Sequence, residues 1–95
     1  MKRLQLTVPW KEGLHLRQAS KLVRLAQRCR SSICLRANGK IADARSVLSV
    51  TLLCAALGTV IDVETAGEDE DLVIQDVESM FVSTDDNLES GEEKA

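Results

Sequence analysis

The 95-residue, 10.4 kDa chain is long enough for one domain with a modest core, and its formal charge of −3 conceals a split. Residues 1–45 carry eleven bases against two acids, Glu12 and Asp43, whereas residues 46–95 carry one base, Lys94, against thirteen acids. A 44% hydrophobic composition with one proline excludes a disordered or collagen-like chain, and charges interrupt every apolar run short of the roughly 18 to 20 residues a membrane span needs.

The basic start lacks a long apolar region and a small-residue cleavage site, so no secretory leader is expected and the expected location is cytoplasmic. Cys29, Cys34 and Cys54 are odd in number and form no CxxC pair. With one histidine in the chain, they read as reduced thiols rather than as a disulfide framework or a zinc site. No metal and no cofactor are expected.

Leu4, Leu6 and Val8 alternate with Arg3, Gln5 and Thr7, the period of a strand with one buried face, and Pro9 ends it. Trp10 to Gly13 reads as a loop. From about Leu16 the period becomes helical, with Ala19, Leu22, Val23, Ala26 and Cys29 as an apolar stripe. Gln18, Lys21, Arg24, Gln27, Arg28 and Arg30 make its polar, strongly basic face.

Alternation returns at Ile33, Leu35 and Ala37, and Asn38-Gly39 signals a tight hairpin whose turn needs positive φ at both positions. A short return strand is expected from Lys40 to Asp43. Ser46 then reads as the N-cap of a helix running through Val47, Leu48, Val50, Leu52, Leu53, Cys54 and Leu57 to Gly58. Thr59 to Thr65 alternates again as a strand. The acids Glu68 to Asp71 suit a helix N-terminus, and Val73, Val77, Met80 and Phe81 form the stripe of a last helix ending at Val82. Residues 1–83 are expected to form the domain, and 84–95 a disordered acidic tail. The order β-α-β-β-α-β-α predicts an α+β fold: a four-stranded, mainly antiparallel sheet with its helices on one face and the other face solvated.

The lone histidine, His15, falls just before the first helix, in Gly13-Leu14-His15-Leu16-Arg17. A helix N-terminus leaves backbone N–H groups without intrahelical acceptors and carries about half a positive charge, so an anion site is already assembled there. The same field disfavours imidazolium, which leaves a neutral, nucleophilic ring. Arg17, in the first turn, can grip phosphate oxygens. A ring nitrogen that can attack phosphorus, beside donors for the product, describes a phosphohistidine site.

The segment Gly13-Leu14-His15-Leu16-Arg17-Gln18-Ala19 resembles the Gly-Leu-His-Ala-Arg-Pro-Ala signature of the HPr family. These are the histidine-containing phosphocarriers of the phosphoenolpyruvate-dependent sugar phosphotransferase system. The similarity extends through Leu22-Val23, Ala26, Ser32-Ile33, Asn38-Gly39-Lys40, Arg45-Ser46, Leu57-Gly58 and Ala66-Gly67-Glu68-Asp69-Glu70, covering about Leu4 to Phe81. It implies an open-faced β-sandwich. It also implies a carrier, not an enzyme, in which His15 takes a phosphoryl group on Nδ1 from phosphorylated enzyme I and passes it to enzyme IIA domains. Arg17 steadies the phosphate. Two positions depart from the signature: Gln18 stands for a φ-fixing proline and Leu16 for a small residue, which implies a looser and more apolar surround for the imidazole.

The resemblance also implies docking through the histidine loop and the second helix, which makes Leu16, Gln18, Val47, Leu48 and Thr51 candidate contacts. Lys21 and Arg24 are candidates to steer an acidic partner. Ser46, preceded by Arg45, is a candidate substrate for HPr kinase/phosphorylase besides its capping role. An alternative is an HPr-like regulatory module in carbon or nitrogen control with little phosphotransfer. Nucleic-acid binding is disfavoured by the scarcity of aromatics, Trp10 and Phe81 only, and by the absence of a recognisable helix-turn-helix or zinc module. A monomer without membrane attachment is expected.

Overall fold

The computed structural model describes residues 1–82, so the expected domain end at 83 and the tail at 84–95 lie outside the described residues. Seven elements follow the expected order: β1 (Lys2–Thr7), α1 (Leu16–Arg28), β2 (Ser32–Ala37), β3 (Lys40–Asp43), α2 (Val47–Thr51), β4 (Val60–Ala66) and α3 (Glu70–Val82). The sheet order is β1-β4-β2-β3, and every neighbouring pair is antiparallel. The last strand thus inserts between the first and second, which prevents any division of the chain near residue 45.

Strand alternation sorts the two sheet faces. Leu6, Ile33, Leu35, Ala42, Ile61 and Val63 turn inward beneath Ala19, Leu22 and Ala26 of α1 and Val73, Val77 and Phe81 of α3, all of them buried. The opposite positions form the open face of a β-sandwich. There Glu64 of β4 lies 3.4 Å from both Arg3 of β1 and Arg36 of β2, and Gln5 donates to Asp62 at 2.8 Å. Asn38 (φ 53) and Gly39 (φ 73) make the hairpin turn as expected.

The second helix departs from expectation. It stops at Thr51, not near Gly58, because the carbonyls of the residues that would continue it, Leu52 to Cys54, are taken by the β2–β3 hairpin. The Asn38 amide donates to the carbonyls of Leu53 (2.9 Å) and Cys54 (3.2 Å), and Lys40 Nζ donates to that of Leu52 (3.2 Å). Cys54 itself adopts a left-handed φ of 54°, which no continuing helix accommodates. Leu52 and Leu57, expected within the helix, are exposed beyond it.

α3 is anchored by its leading acids. The Arg30 N–H donates to Asp69 Oδ2 at 3.0 Å and the Ser31 hydroxyl donates to Asp69 Oδ1, while Arg30 pairs with Glu68 at 2.8 Å. Gly67 makes this junction possible, since a Cβ there would lie 2.6 Å from Ser31 Cα at a φ of 151°. The Arg30 and Ser31 donors hold the Asp69 carboxyl below the usual carboxylate range. The Met1 ammonium, then the Gly67 N–H, do the same for Glu70. A carboxylate that binds its proton less tightly when folded stabilises the fold above its ordinary pKa, and that contribution is lost as pH falls through the folded value. Asp69→Asn should therefore lower stability at neutral pH and flatten the loss on acidification. Urea denaturation midpoints followed from neutrality to about pH 3 measure both effects.

Candidate functional site

The loop between β1 and α1 is held at both of its ends. Trp10 is buried with its ring centroid 5.0 Å from that of Phe81, and its carbonyl accepts the Gly13 N–H at 2.9 Å. The Leu14 N–H then donates to the Ala55 carbonyl at 2.8 Å, which seats the loop on the segment that follows α2. Gly13 is required for that approach: its φ is +79°, and a Cβ would come within 2.6 Å of the Ala55 oxygen.

This seat makes His15 the N-cap of α1. Its backbone is extended (φ −103°, ψ −165°), and its carbonyl accepts the Ala19 N–H at 2.8 Å. Its side chain takes no part in capping and is 44% exposed. The imidazole is therefore held at the positive end of a 13-residue helix with its ring outside the fold. Nε2 lies 4.0 Å from Glu12 Oε1, an ion pair whenever the ring is protonated.

His15 lines a shallow depression with Glu12, Thr51, Cys54 and Ala55. Of the expected docking residues, Thr51 therefore shares this depression with the histidine, and its hydroxyl donates back to the Val47 and Leu48 carbonyls, both at 3.0 Å. Leu16 and Leu48 are exposed at 61% and 67%, while Val47 is partly buried against the core. Arg17 and Arg24 are exposed, and Lys21 is half-buried.

Gln18 does not join this surface. It is 3% exposed, so it neither belongs to the basic face nor can dock a partner. The reason is helical geometry: Gln18 stands four residues before Leu22 and eight before Ala26, on the ridge that α1 turns into the core.

Ser46 caps α2 by accepting the Ser49 N–H at 3.1 Å, while Ser49 Oγ in turn accepts the Asp43 N–H at 3.1 Å. Two site residues were not singled out from sequence. Glu12 had a signal, as one of only two acids among the first 45 residues and three positions before the histidine. Cys54 had none, because it reaches the depression only through the early end of α2. Among the described residues no cluster has the makings of a metal site, and no helix is long and apolar enough to cross a membrane.

Comparisons with known proteins agree with this geometry. Residues 2–83 match the family model described as the PTS HPr component phosphorylation site. A phosphocarrier protein HPr of Xylella fastidiosa (strain Temecula1) is 40% identical over 77 residues, which span 81% of this chain and 86% of that protein. Among solved structures, the histidine-containing phosphocarrier protein of Mycoplasma superposes with a TM-score of 0.80 at 30% identity, covering 85% of this chain and 92% of that one. A phosphocarrier protein HPr from Bacillus anthracis superposes with a TM-score of 0.79 at 25% identity, covering 84% and 95%. A histidine set at the start of α1 on an open-faced sandwich, in a chain matched by that model almost from end to end of its described residues, belongs to the HPr phosphocarrier family.

Proposed function

We propose that His15 carries the phosphoryl group, taking it from phosphorylated enzyme I and delivering it to enzyme IIA domains in the cytoplasm. The observation that carries this reading is the N-cap geometry of His15: a side chain spared from capping, half exposed, beside the first-turn N–H groups of α1. Nδ1 attacks phosphorus as the donor's bond to phosphorus breaks. The resemblance assigns the attack to Nδ1, and Glu12 stands on the Nε2 side of the ring, 4.0 Å away. Arg17 and the helix terminus receive the phosphate charge by hydrogen bonds and field, which hold the group without a metal and let it leave again.

The docking surface in this reading is the rim of that site: Leu16, Leu48, Thr51 and the exposed part of Val47, with Lys21 and Arg24 steering an acidic partner to a monomeric carrier. Nucleic acid is not a partner. The alternative, a regulatory module with little phosphotransfer, is separated by rate: it requires partner binding with acceptance of phosphate orders of magnitude slower than for an ordinary HPr.

Incubation with enzyme I and phosphoenolpyruvate should place an acid-labile, base-stable phosphate on the protein. His15→Ala should abolish the label, and Arg17→Ala should slow its appearance by about a hundredfold, the scale of losing one charge-stabilising donor. Equal labelling of wild type and His15→Ala contradicts the reading.

We further propose Ser46 as the regulatory residue. A phosphate on its hydroxyl would face the N-terminus of α2 while adding up to two negative charges to the docking rim. Ser46→Ala should cost about 0.5–2 kcal/mol in urea denaturation, through the lost cap. Ser46→Asp, which keeps a capping oxygen, should retain most of that stability and still accept phosphate from enzyme I more slowly than wild type.

A further inference from the structure

Backbone geometry holds Glu12 beside the histidine. The Gly13 N–H closes a turn onto the Trp10 carbonyl at 2.9 Å, with Lys11 and Glu12 as its two central residues. Trp10, at the start of that turn, is buried against Phe81, and the His15 N–H returns to the Gly13 carbonyl at 3.0 Å. The chain between Glu12 and His15 is thereby fixed, which confines the Glu12 carboxylate to the neighbourhood of the ring although its side chain is 66% exposed. Its Oε1 stands 4.0 Å from His15 Nε2, and Glu12 makes no other ion pair among the described residues.

The depression that holds the ring is lined by Glu12, Leu14, Thr51, Cys54, Ala55 and Ala56. The Thr51 hydroxyl is committed to the Val47 and Leu48 carbonyls. Among the described residues the Cys54 thiol is the one other titratable group in the lining, and Arg17, in the first turn of α1, is the base two positions on. Glu12 is the one carboxylate there. A neutral imidazole carries one N–H and one lone pair, and the group facing a ring nitrogen decides whether that nitrogen keeps the proton. A carboxylate on the Nε2 side favours the tautomer protonated at Nε2 and places the lone pair on Nδ1, as the aspartate of a serine-protease triad does for its histidine.

We propose that Glu12 is a positioning residue, which selects the Nε2–H tautomer of His15 and faces the positive charge that phosphorylation puts on the ring. The proposal rests on the reading of His15 as the phosphoryl acceptor at Nδ1. As the Nδ1–phosphorus bond forms, the donor's bond to phosphorus breaks and its electron pair stays with the donor. The ring keeps its proton on Nε2 and becomes positive, while Glu12 remains ionised. When the phosphoryl group departs, the electron pair of the bond returns to Nδ1 and the ring is neutral again, with the same proton in place. The 4.0 Å separation shortens as charge develops, as contacts of this kind do on passing from the free to the loaded site.

His15 is the only histidine, so 15N NMR of the unphosphorylated full chain, at a pH where the ring is neutral, reads its tautomer from two nitrogen signals. Wild type should show a protonated Nε2 and a lone-pair Nδ1. In Glu12→Ala the two signals should move toward each other, and in Glu12→Asp they should stay near wild type, with the sheet amides in place in both. With enzyme I and phosphoenolpyruvate, Glu12→Gln should slow transfer at saturating carrier roughly tenfold, the low end for a group that orients a histidine, without raising KM. A mere surface charge has the opposite effect: removing an acid from the rim helps an acidic partner to bind and leaves the saturated rate alone. The pH below which phosphate is rapidly lost from His15 should also lie lower in Glu12→Gln, because the protonated ring is the better leaving group. Nitrogen signals of Glu12→Ala identical to wild type, or an unchanged saturated rate and loss profile for Glu12→Gln, overturn the proposal. If Glu12→Ala moves the nitrogen signals while wild-type His15 accepts no phosphate, the carrier reading fails and the tautomer selection stands.

Discussion

The 2.8 Å hydrogen bond from the Leu14 N–H to the Ala55 carbonyl is the contact that seats the loop carrying His15. It forms only because Gly13 lacks a Cβ, which would stand 2.6 Å from that oxygen. Through it, the loop from the first strand rests on the segment after α2, and α1 is obliged to begin at His15. A histidine placed one turn later would lie along the helix, away from the terminal N–H groups and the positive end of the dipole. Trp10, packed on Phe81, fixes the other end of the same loop, so the last helix of the fold also supports the first residue of the site. The site is thus held by backbone bonds and core packing, and the imidazole takes no part in either and stands 44% exposed.

The division of charge between the two halves of the chain has two causes. On the open face it is internal complementarity: acidic β4 lies between basic β1 and basic β2, and Glu64 faces both Arg3 and Arg36. At the start of α3 it is local capping, with Arg30 and Ser31 holding Glu68 and Asp69. Such exposed pairs each add little to stability, and their value lies in keeping the strand order and register consistent. On α1 the bases are grouped on one helix that contains no acid. One composition signal therefore records both how the sheet is assembled and where the surface is polarised.

Periodicity in the sequence was sufficient for the element order and the hairpin at Asn38-Gly39, because each rests on local propensity and strand alternation. The end of α2 was not legible, since an apolar run from Val47 to Leu57 satisfies a helix and a buried loop equally. What stops the helix is a side chain from elsewhere: the Asn38 amide, capping carbonyls 15 and 16 residues away. Gln18 was misread for the opposite reason. Its polarity suggested the surface, but its place four residues before Leu22 put it on the buried ridge, and position outweighed chemistry. His15, Arg17 and Ser46 were visible because each coincides with a helix start, where sequence signals are strongest.

The central claim is that this fold presents His15 so that Nδ1 bonds phosphorus and the start of α1 receives its charge. It is tested most directly by NMR of the phosphorylated protein with 15N-labelled histidine. The account expects one-bond nitrogen–phosphorus coupling at Nδ1 of His15, together with shifts of the backbone amides in the first turn of α1. Coupling at Nε2, or a phosphorylated protein whose α1 amides do not move, would contradict it.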